Sequence, residues 1–354
     1  MTNSAKKILV GFSGGADSTA AVLLLRDQGW DVTGLHLRVT NEGGSVDPSV
    51  TEVAEYLGLP LILADVSECF QAVVIHDFCK AYSGGETPNP CVLCNPAVKF
   101  QTLCSEADRF DIPYIATGHY ARIYRNSDGL FSLRMGANQR KDQSYMLYRL
   151  SQDVLARTIF PLGEIDSKEE IRRFLEDRGV PNARKQDSQD ICFIRGKTYQ
   201  DFLQERGVLP KPGPFLDMKG HVVGTHHGIH NYTPGQRKGL GIALGKPAYV
   251  VSVQSATNAV ILGSEEDLLR QRVEIRNAFF TACGNTTELP EAYQKLKVTV
   301  KLRYTARFAS ATLRQDPGEN ITVDFDLPQR APAPGQSAVF YLDDLVLGGG
   351  TILE

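Results

Sequence analysis

The sequence predicts an α/β protein in which an N-terminal domain built on a parallel sheet is followed by two small β-rich domains, the last a β-barrel. Three observations carry that expectation. Strand-like and helix-like segments alternate through about the first 195 residues, the pattern of a parallel sheet whose crossovers are helices. Beyond Gly196 the texture changes to Pro and Gly punctuation with short β-prone runs. From about Val273 the runs VTVKLRY, ASATLR, ITVDF, SAVFYL and LVLGGGTI recur at turn-separated spacing, as in an antiparallel barrel or sandwich. A chain of 354 residues suits two to three domains, and their expected extents are 1–195, 196–265 and 266–354.

In order, the first domain reads as a strand from Lys7 to Phe12, a helix from about Asp17 to Gln28, a strand from Val32 to Leu37, a helix from Ser49 to Leu57 and a strand from Leu61 to Asp65. Helices over Ser67 to Lys80 and Ala97 to Phe110 lead to a strand at Tyr114 to Thr117. Asn126, Ser127, Asp128 and Gly129 tolerate turn geometry and join Ala121–Arg125 to Leu130–Met135 as a hairpin. Ser167 and Glu170 have capping-box spacing, opening a helix that Gly179 and Pro181 stop after Arg178. In the β-rich part, GSEEDLLRQR reads as a helical connector before the last domain.

Apolar residues at 42% and charged residues at 22% exclude a disordered or fibrous chain. No stretch of about 18 uncharged apolar residues occurs, and MTNSAKK runs straight into ILVGF without a signal-peptide core, so the expectation is a cytoplasmic protein with no membrane partner. A net charge of −3 does not advertise a nucleic-acid binder. Basic residues nevertheless group locally, as Arg134, Arg140, Lys141 and Arg149, as Arg172, Arg173, Arg178, Arg184 and Lys185, and as Lys301, Arg303, Arg307 and Arg314, and such groups suit an RNA backbone. The seven cysteines are odd in number and argue against a disulfide scaffold. Cys69, Cys79, Cys104 and Cys283 read as buried small hydrophobes, and His221, His226, His227 and His230 as surface or RNA-facing residues rather than a metal site.

Three motifs carry chemistry. Gly11-Phe12-Ser13-Gly14-Gly15-Ala16-Asp17-Ser18 lies between a strand and a helix, where glycines let backbone N–H groups approach phosphate oxygens and the helix N-terminus adds partial positive charge. It fits neither the Walker A loop nor the dinucleotide fingerprint, but matches SGGxDS, the pyrophosphate loop of enzymes that cleave ATP between its α and β phosphates. Asp17 is its candidate magnesium ligand. The second motif, Asn89-Pro90-Cys91-Val92-Leu93-Cys94-Asn95, follows GGETP and reads as an irregular loop entering the helix at Ala97; a thiol at a helix N-terminus has its thiolate favoured. The third, Lys185-Gln186-Asp187-Ser188-Gln189-Asp190-Ile191-Cys192-Phe193, holds one cysteine amid polar residues.

Through SGGADS, GGETPNPCVLCNPAVKF, ATGHYAR, KDQSYMLYRL, SKEEIRRFLEDRG, RKQDSQDICFI, YTPGQRKGLGI, Leu302-Arg303-Tyr304 and PGQSAVFYLDDLVLGGG, nearly the whole chain resembles the tRNA-specific 2-thiouridylases of the MnmA (TrmU) family. That resemblance implies an N-terminal pyrophosphate-loop domain of the HUP, adenine nucleotide α-hydrolase-like, class. It implies that ATP, with Mg²⁺, adenylates the C2 oxygen of the wobble uridine at position 34 of a tRNA, that sulfur then replaces it, and that AMP and pyrophosphate leave. The tRNAs are expected to be of the Lys, Glu and Gln type, and the sulfur to come from a donor protein or sulfide. By the same resemblance Cys94 is the nucleophile and Cys192 the persulfide carrier; the loop from Gly11 to Ser18, Leu37 and Gly118 line ATP; and Asn89, Pro90, Cys91, Lys141, Asp142, Gln143, Arg303 and Tyr304 meet tRNA. Leu37 stands where the family commonly has Met.

One residue departs from the pattern: the family usually has Asp, the expected acid/base helper, where this chain has Cys91. Three thiolates, Cys91, Cys94 and Cys192, suit three irons of a 4Fe-4S cluster whose fourth iron binds sulfide, and the sequence leans that way. The competing expectation is the persulfide route, with Cys91 a bystander or resolving thiol. Two rival functions remain open: another ATP pyrophosphatase of the amidotransferase-type synthetase kind acting on a small molecule, and a non-catalytic, nucleotide-gated RNA-binding or sulfur-carrier protein.

Overall fold

The computed structural model describes residues 6–40, 47–181, 183–184, 191–194, 196–242, 245, 247–316 and 318–353. Lys185 to Asp190 of the third motif, the MTNSA start and residue 195 lie outside the described residues.

β1 (Lys7–Gly11) is apolar at Ile8, Leu9 and Val10, all fully buried, as a central parallel strand covered on both faces must be. Helix α1 (Ala16–Asp27), β2 (Asp31–Arg38), α2 (Pro48–Tyr56) and β3 (Leu61–Asp65) follow. The next helical stretch has two α-segments, α3 (Ser67–Phe70) and α4 (His76–Ser83), joined by a π-turn over Gln71–Ile75. A second has the same build: α5 (Pro90–Cys94), a π-turn over Asn95–Phe100 and α6 (Gln101–Arg109). The cysteine pair is therefore helical rather than in an irregular loop, because Asn89 accepts from Cys91 N at 3.2 Å and Pro90 occupies the first helical position, where it needs no donor.

After β4 (Tyr114–Thr117) come the hairpin strands β5 (Ala121–Arg125) and β6 (Phe131–Met135), helix α7 (Gln152–Arg157), the short β7 (Thr158–Ile159) and α8 (Lys168–Glu176). The parallel sheet has the order β3-β2-β1-β4-β7. The order reverses beside β1, so the carboxyl end of that strand opens a crevice. Ser167 does precede α8, but its side chain makes no capping bond, so the capping-box spacing there is not realised. A working capping box instead opens α9 (Tyr199–Glu205), between Thr198 and Asp201.

The central sheet has the order β10-β11-β8-β9, from β8 (Gly213–Leu216), β9 (Val222–His226), β10 (Tyr249–Gln254) and β11 (Ala259–Gly263). Its core holds Phe215, Tyr232, Val250, Val260 and Leu262. His226 and His230 belong to that interior, 0% and 6% exposed, which corrects their expectation as surface residues. Gly228 N–H donates to His226 Nδ1 at 3.0 Å, so Nε2 carries the proton and donates to the Asn258 carbonyl at 3.0 Å. Phe215 and Tyr232 flank the ring edge-on, making it a satisfied core histidine.

The expected helical connector GSEEDLLRQR is also corrected: only Glu266–Leu268 turns, as a 3-10 helix, and Leu269 begins β12 (Leu269–Phe279). With β13 (Lys297–Lys301), β14 (Ala309–Arg314), β15 (Ile321–Arg330), β16 (Ser337–Leu342) and β17 (Leu345–Ile352), it forms a barrel in the order β12-β15-β14-β13-β16-β17, closed by β12 on β17. The hairpin β5–β6 extends this sheet through a Leu345↔Arg134 pairing with β17. One core accordingly joins Leu9, Phe100 and Ile115 of the first domain to Leu133 of the hairpin and Val339, Tyr341 and Val346 of the barrel. Among the described residues no helix is long and apolar enough to cross a membrane.

Candidate active site

The glycine-rich loop lies at the carboxyl end of β1, held by Phe12 N–H donating to Leu35 O at 2.8 Å. Ser13 and Ser18 close it on itself, with their hydroxyls 3.2 Å apart and Ser18 Oγ donating to Gly15 O at 3.0 Å. Gly14 has φ of +68°, and a Cβ there would stand 2.9 Å from Val50 Cα, so the turn admits only glycine. Gly15 precedes α1 without a side-chain cap, leaving the helix N-terminus as an anion cradle with Asp17 in its first turn.

Gly118 packs against that first turn. A Cβ at Gly118 would lie 2.8 Å from both the carbonyl carbon and oxygen of Asp17, so the chain after β4 touches the pyrophosphate loop backbone to backbone. Tyr120 donates its hydroxyl to Asp17 Oδ1 at 2.9 Å, and Tyr120 N–H donates to Gln143 Oε1 at 3.1 Å. The loop and the 141–143 segment are thus linked through one tyrosine. Leu37, half-buried at the carboxyl end of β2, adds an apolar wall to the same edge of the sheet.

The second motif approaches from the other side. Asn95 Nδ2 donates to Met146 O at 2.9 Å and fixes the cysteine helix to the turn after Asp142. The π-turn at Asn95–Phe100 lets residues five apart stack, so Lys99 faces Cys94 with both its backbone N–H and its ammonium. Burial pushes the Cys94 thiol up to about 12; Lys99 opposes the shift, and Cys192 and Cys91 add to it because three like charges would crowd one place. Cys91 is solvent-accessible yet recessed among protein mass, which raises its thiol too. Cys192 is exposed on a turn whose neighbours Phe193 and Ile194 are buried. Phe193 sits edge-on to Phe70 and Phe78 and tilted against Phe202, which ties the turn down and presents the sulfur beside Cys94.

His119 completes the group. Its Nδ1 is hydrogen-bonded with Thr117 Oγ1 at 2.7 Å, its ring stacks on Phe100, and burial together with the Lys99 charge holds its pKa well below the ordinary histidine value. It is neutral at physiological pH. Lys99, His119 and Tyr120 were not singled out by the sequence. Their signals were weak: a lysine five residues after Cys94 and two residues following Gly118, inside otherwise recognisable stretches.

Among the described residues no group of three or more His, Cys, Asp or Glu side chains is gathered as a metal site. Desolvation raises the Cys91 and Cys94 thiols, which favours their protonated forms. Cys69 is exposed, correcting its expectation as a buried hydrophobe, while Cys79, Cys104 and Cys283 are half-buried.

The expected RNA residues of two domains meet at the barrel. Asp142 is 2% exposed and accepts from Gly136 N, Ser144 N and Ser144 Oγ, so it builds the turn rather than facing solvent. Ser144 Oγ is 3.3 Å from Tyr341 Oη, and the buried Lys301 ammonium, over the rings of Tyr304 and Phe308, lies in the field of Asp142. Arg303 and Arg307 are exposed on the same loop. Much of the rest of the basic charge is spent: Arg134 pairs with Asp344, Arg172 with Glu169, Arg178 with Asp27, Arg184 with Glu176 and Arg314 with Asp324.

Residues 6–196 match the family model of the tRNA methyl transferase HUP domain, 200–264 that of the tRNA methyl transferase PRC-barrel domain and 281–352 that of the aminomethyltransferase beta-barrel domain. The tRNA-specific 2-thiouridylase MnmA of Lachnoclostridium phytofermentans is 40% identical, over 99% of this chain and 100% of its own. That of Moorella thermoacetica is 43% identical, over 97% and 98%. A solved structure, the U34-tRNA thiolase NcsA from Methanococcus maripaludis with its 4Fe-4S cluster, aligns over 57% of this chain and 65% of its own at 15% identity and a TM-score of 0.36, too distant to bear on this site.

Proposed function

Because this chain belongs to the tRNA-specific 2-thiouridylase MnmA family, we propose that it thiolates the wobble uridine of tRNA through a persulfide on Cys192 and the thiol of Cys94, with no metal cluster in the path. The protein is a sulfurtransferase that uses ATP and acts on tRNA. The observation supporting the finer reading is the meeting of Cys94 and Cys192 beside Lys99, next to the Gly118–Tyr120 segment that touches the pyrophosphate loop.

A carbonyl oxygen leaves poorly and AMP leaves well, so the C2 oxygen of the uridine first attacks the α-phosphorus of ATP and displaces pyrophosphate. Gly14, Gly15 and the α1 N-terminus suit the leaving phosphates, and Asp17 is the carboxylate that would hold a magnesium ion against them. The terminal sulfur of the Cys192 persulfide then attacks C2, and AMP departs with the oxygen. Cys94 attacks the Cys192 sulfur next: the sulfur–sulfur bond to the nucleotide breaks, 2-thiouridine is released and a Cys94–Cys192 disulfide forms. A dithiol reductant returns both thiols. Lys99 favours the Cys94 thiolate that the disulfide-forming step needs, and neutral His119, in the field of Lys99, is our candidate to exchange a proton with the uridine. We assign Asn89, Pro90, Cys91, Lys141, Arg303 and Tyr304 to tRNA contact, with Asp142 and Gln143 shaping the contact turn. The donor is a persulfide-bearing protein, whose outer sulfur passes to the Cys192 thiolate as its own thiol is released, and the tRNAs are those of the Lys, Glu and Gln type.

The test is AMP formation with and without tRNA. Thiolation predicts AMP only with tRNA, matched by 2-thiouridine; AMP formed on a small molecule without tRNA would support the synthetase reading, and no AMP at all the carrier reading.

A further inference from the structure

Glu86 lies in the segment Gly84–Asn89, immediately before the cysteine-bearing helix α5. Arg276, on β12 of the barrel, donates from Nη2 to both of its carboxylate oxygens, at 2.6 and 2.8 Å. Around this pair the segment is fastened to the barrel again: Thr87 N–H donates to Pro334 O at 2.8 Å and Gln336 Nε2 donates to Thr87 O at 2.7 Å. Gly335 presses so close that a Cβ on it would stand 2.9 Å from Glu86 Cβ. The opposite edge meets the central domain. Thr87 Oγ1 and Thr233 Oγ1 are 3.1 Å apart, and a Cβ on Gly85, at φ of +75°, would lie 2.6 Å from Val253 Cγ1.

Resting on the thiolation reading above, we propose that Glu86 and Arg276 are positioning residues that couple the seating of tRNA on the barrel to the placement of Cys91 and Cys94. The peptide between the two domains leads directly through Asn89, whose side-chain Oδ1 accepts from Cys91 N–H, into the helix, so a displacement of the barrel relative to the central domain reaches the thiols within one turn. Two features argue against a purely stabilising role. The side chains are 26% and 35% exposed, so solvent screens part of what the pair adds to stability. Arg276 Nε is buried and has no hydrogen-bond partner among the described residues, an unfavourable arrangement whose return is a fixed direction for the guanidinium.

The experiment uses the full-length protein with a persulfide donor and a tRNA carrying a wobble uridine, comparing wild type, Glu86→Gln, Arg276→Met, Arg276→Lys and the exchange Glu86→Arg/Arg276→Glu. Measured are tRNA Kd, single-turnover AMP formation, single-turnover 2-thiouridine formation and Tm. The proposal predicts that Glu86→Gln and Arg276→Met slow sulfur transfer roughly ten- to hundredfold, the scale of a small misplacement of reacting groups. Kd and AMP formation stay within about threefold, and the exchange restores most of the rate. Arg276→Lys keeps the charge but loses the fixed direction of the planar guanidinium and recovers only part. Undiminished sulfur transfer in the single variants overturns the proposal. So does a parallel loss of binding, AMP formation and Tm, or a failure to fold, either of which makes the pair structural. A wild type that forms AMP without 2-thiouridine would instead refute the thiolation reading itself.

Discussion

In the proposed reaction Lys99 is the residue on which the chemistry of Cys94 turns. Desolvation drives that thiol to about 12, and Lys99 is the principal opposing influence. A thiol whose pKa is raised is protonated at neutral pH and gains reactivity as pH rises. Lys99→Met should therefore move the alkylation profile of Cys94 to higher pH and slow thiolation by about tenfold or more, since one pKa unit is a factor of ten in thiolate; an unmoved profile would show that Lys99 does not act on this sulfur. Gly118→Ala should block AMP formation while tRNA binding holds within about threefold, because its methyl group would collide with the Asp17 backbone at 2.8 Å. AMP formation and tRNA affinity measured on one preparation check this. At this scale the sequence was informative where a residue type is itself a signal, as in Gly14, Cys94 and Cys192. It was silent where a common residue gains its role from its neighbours: Lys99 acquires one from a π-turn, and Asp142, legible as part of a contact motif, is buried in the turn it builds.

At the scale of elements, the turn at 191–194 has almost no structure of its own and owes its position to two apolar side chains. Phe193→Ala should cost about 3 kcal/mol by emptying the site among Phe70, Phe78 and Phe202, and should slow sulfur transfer by releasing Cys192. Phe193→Leu should recover most of both, with Tm and single-turnover thiolation as the measurements. The strand–helix alternation was readable because each element of the parallel sheet carries its own period. The extension of α5 back to Pro90 depends on the Asn89 cap, and the turning of GSEEDLLRQR into a strand depends on pairing with β15, which no local pattern announces. The hairpin was legible as a hairpin, yet its pairing with β17 joins residues over 200 positions apart.

Over the whole molecule, the three expected bodies were visible as changes of texture, whereas the core they share between β1, the hairpin and β16–β17 was not, since it forms only when distant apolar faces meet. Arg303 and Arg307 are exposed on the barrel, and in the proposed reading they meet the tRNA backbone. Affinity should fall steeply with salt, and Arg303→Ala should reduce the slope of log K against log salt by about one. Arg178→Ala should leave the slope unchanged because that guanidinium is engaged with Asp27. The central claim is that sulfur passes from Cys192 to the uridine with Cys94 completing the transfer and neither Cys91 nor iron taking part. The most direct test loads iron-free protein with a single persulfide sulfur, adds ATP, Mg²⁺ and a tRNA with a wobble uridine, and counts 2-thiouridine and AMP for wild type and Cys91→Ser. One 2-thiouridine and one AMP per sulfur in both proteins is the predicted result; 2-thiouridine that appears only when iron is restored, or that vanishes with Cys91→Ser, would contradict it.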